Sequence, residues 1–229
     1  MSSPPISSLS WTANSSGGIS SSAQPASNSI EWSKAAMKLQ FSHCGIFVRD
    51  VERSVHFYTT YLGFVVTDRG PIANGEFAFL TRSADEHHQL AIGSGRASNL
   101  PGTVQQISFR VDDLATLKRL YARIRQAGDL VTLEGPTLGP LSHGDSISVY
   151  FGDPDNNRLE LFIDTPWHIP QPIRLAWDVH APDEQILIEV ERHARAQPGF
   201  RVKSEWMAEL KTRLAEADAR LEASLQAAG

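Results

Sequence analysis

Two stretches of this chain repeat one pattern at a fixed spacing. His43 lies over Gln106, Val48 over Val111, Asp50 over Asp113 and Tyr58 over Tyr121, always 63 residues apart, as from His43 to Gln106. An internal repeat constrains the fold more than any other feature, because each copy is one supersecondary unit that cannot bury its apolar face alone. In the first copy, residues 39–48 read as a strand carrying His43. Apolar and aromatic residues at helical spacing follow over 51–62, Gly63 stops them, and 64–67, 76–81 and 88–92 read as strands. The second copy repeats the order: a strand over 104–111, an amphipathic helix over 114–127 ended by Gly128, and strands over 130–133, 146–151 and 158–163. The expected class is therefore α+β, with two tandem βαβββ modules at about 39–95 and 103–165. They should form a curved mixed sheet that encloses a cleft.

The flanks differ in composition. Residues 1–38 are rich in Ser, Pro, Asn and Gly and read as a disordered tail, since they offer little surface to bury against the entropy of ordering. The tail holds no Arg and one acidic residue, Glu31, so support for an organelle transit segment is weak. After Thr165 the prolines 166, 170 and 172 mark an extended linker, and helices are expected over 182–196 and 203–227. In the last of these, Met207, Leu210, Leu214, Ala217 and Leu221 recur at three and four residues. Such a stripe packs on its own domain or on a second copy of the chain. The net charge of −5 and isoelectric point near 5.9 give no basic footprint for nucleic acid or an anionic membrane surface. No apolar run approaches the roughly 20 residues that cross a bilayer. A single cysteine, Cys44, allows no intramolecular disulfide. These features, with no secretory signal in view, lead us to expect a cytoplasmic protein.

The chemistry centres on residues 149–165, a strand, a turn of Asp153-Pro-Asp-Asn-Asn and a second strand interrupted by Glu160. A carboxylate between Leu159 and Leu161 either alternates out to solvent or belongs to a site. His43 and Gln106 open the first strands of the two modules, so the duplication places them symmetrically across the cleft. With Glu160 they make three donors from three inner strands with one side open. That is the layout of a 2-His-1-carboxylate iron(II) centre in which the second histidine is a glutamine.

The segments His43-Cys-Gly-Ile-Phe-Val-Arg-Asp-Val-Glu-Arg-Ser-Val-His-Phe-Tyr, Leu62-Gly-Phe and Tyr150-Phe-Gly-Asp-Pro-Asp-Asn-Asn-Arg-Leu-Glu-Leu resemble the vicinal oxygen chelate superfamily. Within it, the chain looks most like the single-domain type I extradiol dioxygenases, over about residues 39–168. The resemblance implies a metal held by His43, Gln106 and Glu160, iron(II) first, with manganese, zinc or nickel also accepted by such a set. It implies substrate hydrogen bonding by Tyr150, acid/base work by His88 and a pocket role for His143. The substrate would be a small aromatic diol or another compound with neighbouring oxygens. Gln106 departs from the family's histidine. Its amide oxygen is a harder, neutral donor, which resembles the mixed ligation of the glyoxalase I branch and its lyase or isomerase chemistry. A metal-free binding protein on the same scaffold is the third reading. As plain structure, His87 and His88 would form a polar strand edge, Tyr150 would be a core aromatic and His143 a loop residue.

Overall fold

A computed structural model describes residues 40–73, 75–97 and 104–228. The expected tail, 1–38, lies outside the described residues. The first module contains β1 (Cys44–Val48), α1 (Val51–Leu62), β2 (Val65–Ile72), β3 (Gly75–Thr81) and β4 (Leu90–Ser94). The second contains β5 (Ile107–Arg110), α2 (Leu114–Ile124), a single 3-10 turn (Gly128–Leu130), β6 (Gly139–Ser142), β7 (Ser146–Gly152) and β8 (Arg158–Asp164). Then come β9 (Trp167–His168), β10 (Leu175–Ala176), α3 (Asp183–Arg195), β11 (Arg201–Val202) and α4 (Lys203–Ala228).

The repeat is visible in the helix caps. Asp50 sits in extended backbone and accepts from Arg53 N, and Asp113 does the same for Thr116 N. Each satisfies a backbone donor that the first turn leaves free. Gly63, at φ 69°, closes α1 in the left-handed conformation that glycine adopts without strain. Val51, Phe57 and Tyr58 on α1, and Leu114, Leu117, Tyr121 and Ile124 on α2, are buried in one continuous core with Ile46, Val48, Leu80, Ile92, Val149, Leu159 and Leu161 from the strands.

The two modules make two mixed sheets, ordered β1-β4-β3-β2 and β10-β6-β7-β8-β5. In each, the first strand of the module runs parallel to the last, β1 with β4 and β5 with β8. Mixed sheets are what the repeat leads one to expect, and among the described residues β1 and β5 each lie at a sheet edge. The modules are joined by side chains from the Asp153–Asn157 turn. Buried Asp153 accepts from Asp155 N, Asn157 N, Asn157 Nδ2 and, across the modules, from Tyr58 OH at 2.9 Å. Asp155 accepts from the Arg49 backbone and is ion-paired with the Arg49 guanidinium.

Two expectations need correction. Residues 130–133 form no strand; the 3-10 turn and one isolated bridge, Thr132 to Gly152, stand there, and the pairing partner of β7 is β6. Gly139-Pro140-Leu141-Ser142 has weak strand composition, and its neighbours hold it in place: Leu141 pairs with Ser148 and with Ala176. Nor is the segment after Thr165 a free linker. Trp167, Ile169 and Trp177 are buried, β9 pairs with β11, and β10 extends the second sheet. Residues 169–202 therefore pack as part of the second module, and the prolines 166, 170 and 172 fall outside the two-residue strands β9 and β10, where they remove no ladder hydrogen bond.

Candidate functional site

The free edges of β1 and β5 line a cleft of about 720 Å³. Phe41, Ser42 and Cys44 contribute from one side, and Gln106, Ser108 and Phe109 from the other. Ser108 on β5, with Gln106 just before the strand, lies beside Glu160, while Ile107 and Phe109 pack against the core and also line the cleft.

Around Glu160 the second module gathers a hydrogen-bonded cluster. Cross-strand register sets Glu160 opposite both Tyr150 on β7 and Ser108 on β5. The Glu160 side chain, 6% exposed, takes donors on both oxygens. Tyr150 OH donates to Oε1; Ser108 Oγ at 2.5 Å and Gln106 Nε2 at 3.0 Å donate to Oε2. A buried carboxylate needs this compensation. The chain of contacts runs on from Tyr150 OH to His143 Nε2 at 2.9 Å, and from His143 Nδ1 to the Ile173 carbonyl at 2.7 Å. A carbonyl only accepts, so Nδ1 carries hydrogen and Nε2 faces the phenol. Burial, then the hydrogen bond and charge of Glu160, push the Tyr150 phenol well above its usual range, so it acts as a donor. Arg158 completes the cluster. Its guanidinium lies 3.9 Å over the Tyr150 ring and donates to Thr137 O at 3.1 Å and to Gln106 Oε1 at 2.8 Å.

The first module gathers a second cluster. His43 is exposed just before β1, with its ring 4.3 Å from that of His88. His88 lies 4.9 Å from the Phe79 ring, and its Nδ1 is 2.9 Å from His87 Nδ1. His87 Nε2 in turn meets Asp68 Oδ2 at 2.7 Å. Desolvation, with His43 and His87 beside it, lowers the pKa of His88.

The expected site residues thus divide. Gln106, Tyr150, His143 and Glu160 come together, and His43 pairs with His88. Among the described residues no hydrogen bond, ion pair or ring contact joins the two groups. Sequence reasoning missed Ser108 and Arg158. Arg158 stands two residues before Glu160 on β8, and Ser108 on β5 stands two residues after Gln106, which directly precedes that strand, so period-two spacing was the signal that would have found them. As arranged, Gln106 offers no oxygen to an ion shared with Glu160. Gln106 gives its oxygen to Arg158 and turns its NH₂ to Glu160, and His43 lies against His88.

Comparison with known proteins places this architecture. The profile described as the Glyoxalase/Bleomycin resistance protein/Dioxygenase superfamily matches residues 40–161. Uncharacterized protein YwbC of Bacillus subtilis is 36% identical over 83 residues, 34% of this chain and 66% of that protein. Biphenyl-2,3-diol 1,2-dioxygenase 3 of Rhodococcus globerulus is 30% identical over 131 residues, 55% of this chain and 63% of the enzyme. Lactoylglutathione lyase of Salmonella typhimurium is 30% identical over 129 residues, 54% of this chain and 91% of the enzyme. The chain therefore spans less than two thirds of the length of the dioxygenase and nearly all of the lyase. A solved structure of the fosfomycin resistance protein FosX from Listeria monocytogenes, complexed with Mn(II) and sulfate, is similar over 56% of this chain and 95% of its own, with 19% identity and a TM-score of 0.45. From the tandem modules and the match over 40–161, the chain belongs to the glyoxalase/bleomycin resistance protein/dioxygenase superfamily.

Proposed function

We propose that this chain is an enzyme that moves protons on a small substrate with two neighbouring oxygens, bound over Glu160 where the cleft meets the second sheet. The observation that carries the reading is the unbroken chain from His143 through Tyr150 to Glu160. Tyr150 donates to a substrate oxygen while Glu160 receives the proton that the substrate gives up and returns it to Tyr150 along their shared hydrogen bond; His143 Nε2 meets the phenol oxygen and holds it in place. Ser108 and Gln106 offer hydrogen-bond donors beside it. This is general acid and base work, and it suits isomerase or lyase chemistry.

The second reading is extradiol-type ring cleavage of a small aromatic diol. It is favoured by the coincidence of His43, His88, His143, Tyr150 and Glu160 with the dioxygenase pattern, and by the likeness to biphenyl-2,3-diol 1,2-dioxygenase. Ring cleavage also calls for oxygen activation, and the iron(II) expected from the sequence has His43, Gln106 and Glu160 as its proposed ligands. Because Gln106 gives its oxygen to Arg158, no step is assigned to a metal.

The test is to supply biphenyl-2,3-diol under oxygen and lactoylglutathione in separate assays, with Tyr150→Phe and His143→Ala beside the unaltered protein. Turnover of lactoylglutathione that falls at least tenfold in both variants, with substrate affinity nearly kept, supports proton transfer. Oxygen uptake with the diol favours ring cleavage instead. Binding of either compound without turnover would make the chain a binding protein and end both enzyme readings.

A further inference from the structure

Gln106 is the position where this chain departs from the histidine of the extradiol pattern, and the structure shows how its amide is oriented. A guanidinium only donates, so the amide atom that Arg158 Nη1 meets at 2.8 Å is the oxygen. A carboxylate only accepts, so the atom 3.0 Å from Glu160 Oε2 is the NH₂ nitrogen. The same nitrogen donates to Ser108 Oγ at 3.0 Å, which frees the Ser108 proton for Glu160. All four assignments agree, and reversing the amide would set donor against donor at Arg158 and acceptor against acceptor at Glu160. A metal ligand at position 106 needs the reverse orientation, with oxygen toward Glu160. The 3.0 Å spacing is the edge that two ligands with bonds of about 2.1 Å at a right angle would share. In the observed orientation the Gln106 oxygen is held by Arg158 and is not offered beside Glu160.

We infer that Arg158 is a positioning residue that holds the Gln106 amide with its NH₂ toward Glu160, and that this orientation keeps the affinity of the site for divalent metal low. Arg158 is itself held in place, stacked on the Tyr150 ring and bonded to Thr137 O. Releasing it leaves Gln106 able to rotate and present oxygen beside the Glu160 carboxylate and the Ser108 hydroxyl, an all-oxygen set that suits a hard ion such as Mn²⁺. The inference rests on reading His43, Gln106 and Glu160 as the family's ligand positions.

The experiment titrates Mn²⁺ alone into the full chain and follows the free-ion electron paramagnetic resonance signal, with far-ultraviolet circular dichroism confirming the fold of each variant. Arg158→Leu should tighten Mn²⁺ binding at least tenfold over the unaltered chain. Arg158→Gln, which can present its own carbonyl to the Gln106 NH₂, should do the same and serves if the leucine variant does not fold. Arg158→Lys keeps a cationic donor facing the amide and should stay near the unaltered chain. Adding Glu160→Gln to Arg158→Leu should abolish the gain. Equal Mn²⁺ affinity in the unaltered chain and in folded Arg158→Leu or Arg158→Gln, with Gln106→His binding tightly, would overturn the role of Arg158 alone. Absence of binding in every variant, Gln106→His included, would remove the ligand-position reading and this inference with it.

Discussion

Replacing Tyr58 by phenylalanine tests how the two modules are held around the cleft. Tyr58 on α1 is fully buried, and its hydroxyl donates at 2.9 Å to Asp153 in the β7–β8 turn, 95 residues away. The Asp153 carboxylate accepts from two backbone amides, the Asn157 amide and this phenol. The lost bond is thus one made to a carboxylate, which contributes about 1.5–3 kcal/mol. Three donors remain to Asp153, and phenylalanine fills the ring's space, so no further cavity cost arises. A loss of about 2 kcal/mol follows, or about 4–8 °C in thermal midpoint for a unit of this size. A second signature comes from pH. Burial, then the charge and hydrogen bond of Asp153, hold the Tyr58 phenol well above its ordinary value in the folded state. Its contribution is therefore complete below the unfolded value near pH 10 and is lost as pH rises beyond it, at about 1.4 kcal/mol per pH unit. Tyr58→Phe should remove that share of the alkaline slope. Denaturant unfolding of both proteins between pH 7 and 11 is the assay. A variant within about 0.5 kcal/mol of the parent at pH 7, with the same alkaline slope, would show that the Tyr58–Asp153 bond does not join the modules.

Other outcomes follow from the same geometry. Trp177→Ala should destabilise by about 3–5 kcal/mol in denaturant unfolding, because it empties a buried site and leaves Ser148 O without the indole donor that meets it at 3.1 Å. A free linker at that position would show almost no change. On α4, Leu214 and Leu221 are 56% and 44% exposed, so Leu214→Glu with Leu221→Glu should cost no more than about 1 kcal/mol, or about 2–4 °C in thermal midpoint. Sedimentation of the same variant tests the sequence expectation that two copies pair through this stripe: a fall in mass supports pairing, and an unchanged mass removes it.

The helices were legible to within a few residues because their signals are local. Asp50 and Asp113 cap them, Gly63 ends the first, and the apolar spacing on α1 and α2 marks the faces that are buried. The second-module candidates were legible for a related reason: a 63-residue repeat carries strand positions from one module to the other, and Tyr150 and Glu160, ten residues apart, meet across one hairpin. β6 was not legible. Its pairing comes from β7 and β10 rather than from its own side chains, and the prolines after Thr165 hid a segment in which Trp167, Ile169 and Trp177 are buried against the second module.

By itself, the sequence determined the tandem modules, their helices and the residues available for chemistry, since periodicity and capping depend on neighbours a few positions apart. Only the tertiary structure decided what those residues do to one another. His43 rests on His88, and Glu160 is filled by Tyr150, Ser108 and Gln106. The direction of one amide is set by Arg158, 52 residues away in sequence. Hydrogen-bond partnership depends on register and on which atoms can donate, and neither is written in the order of residue types.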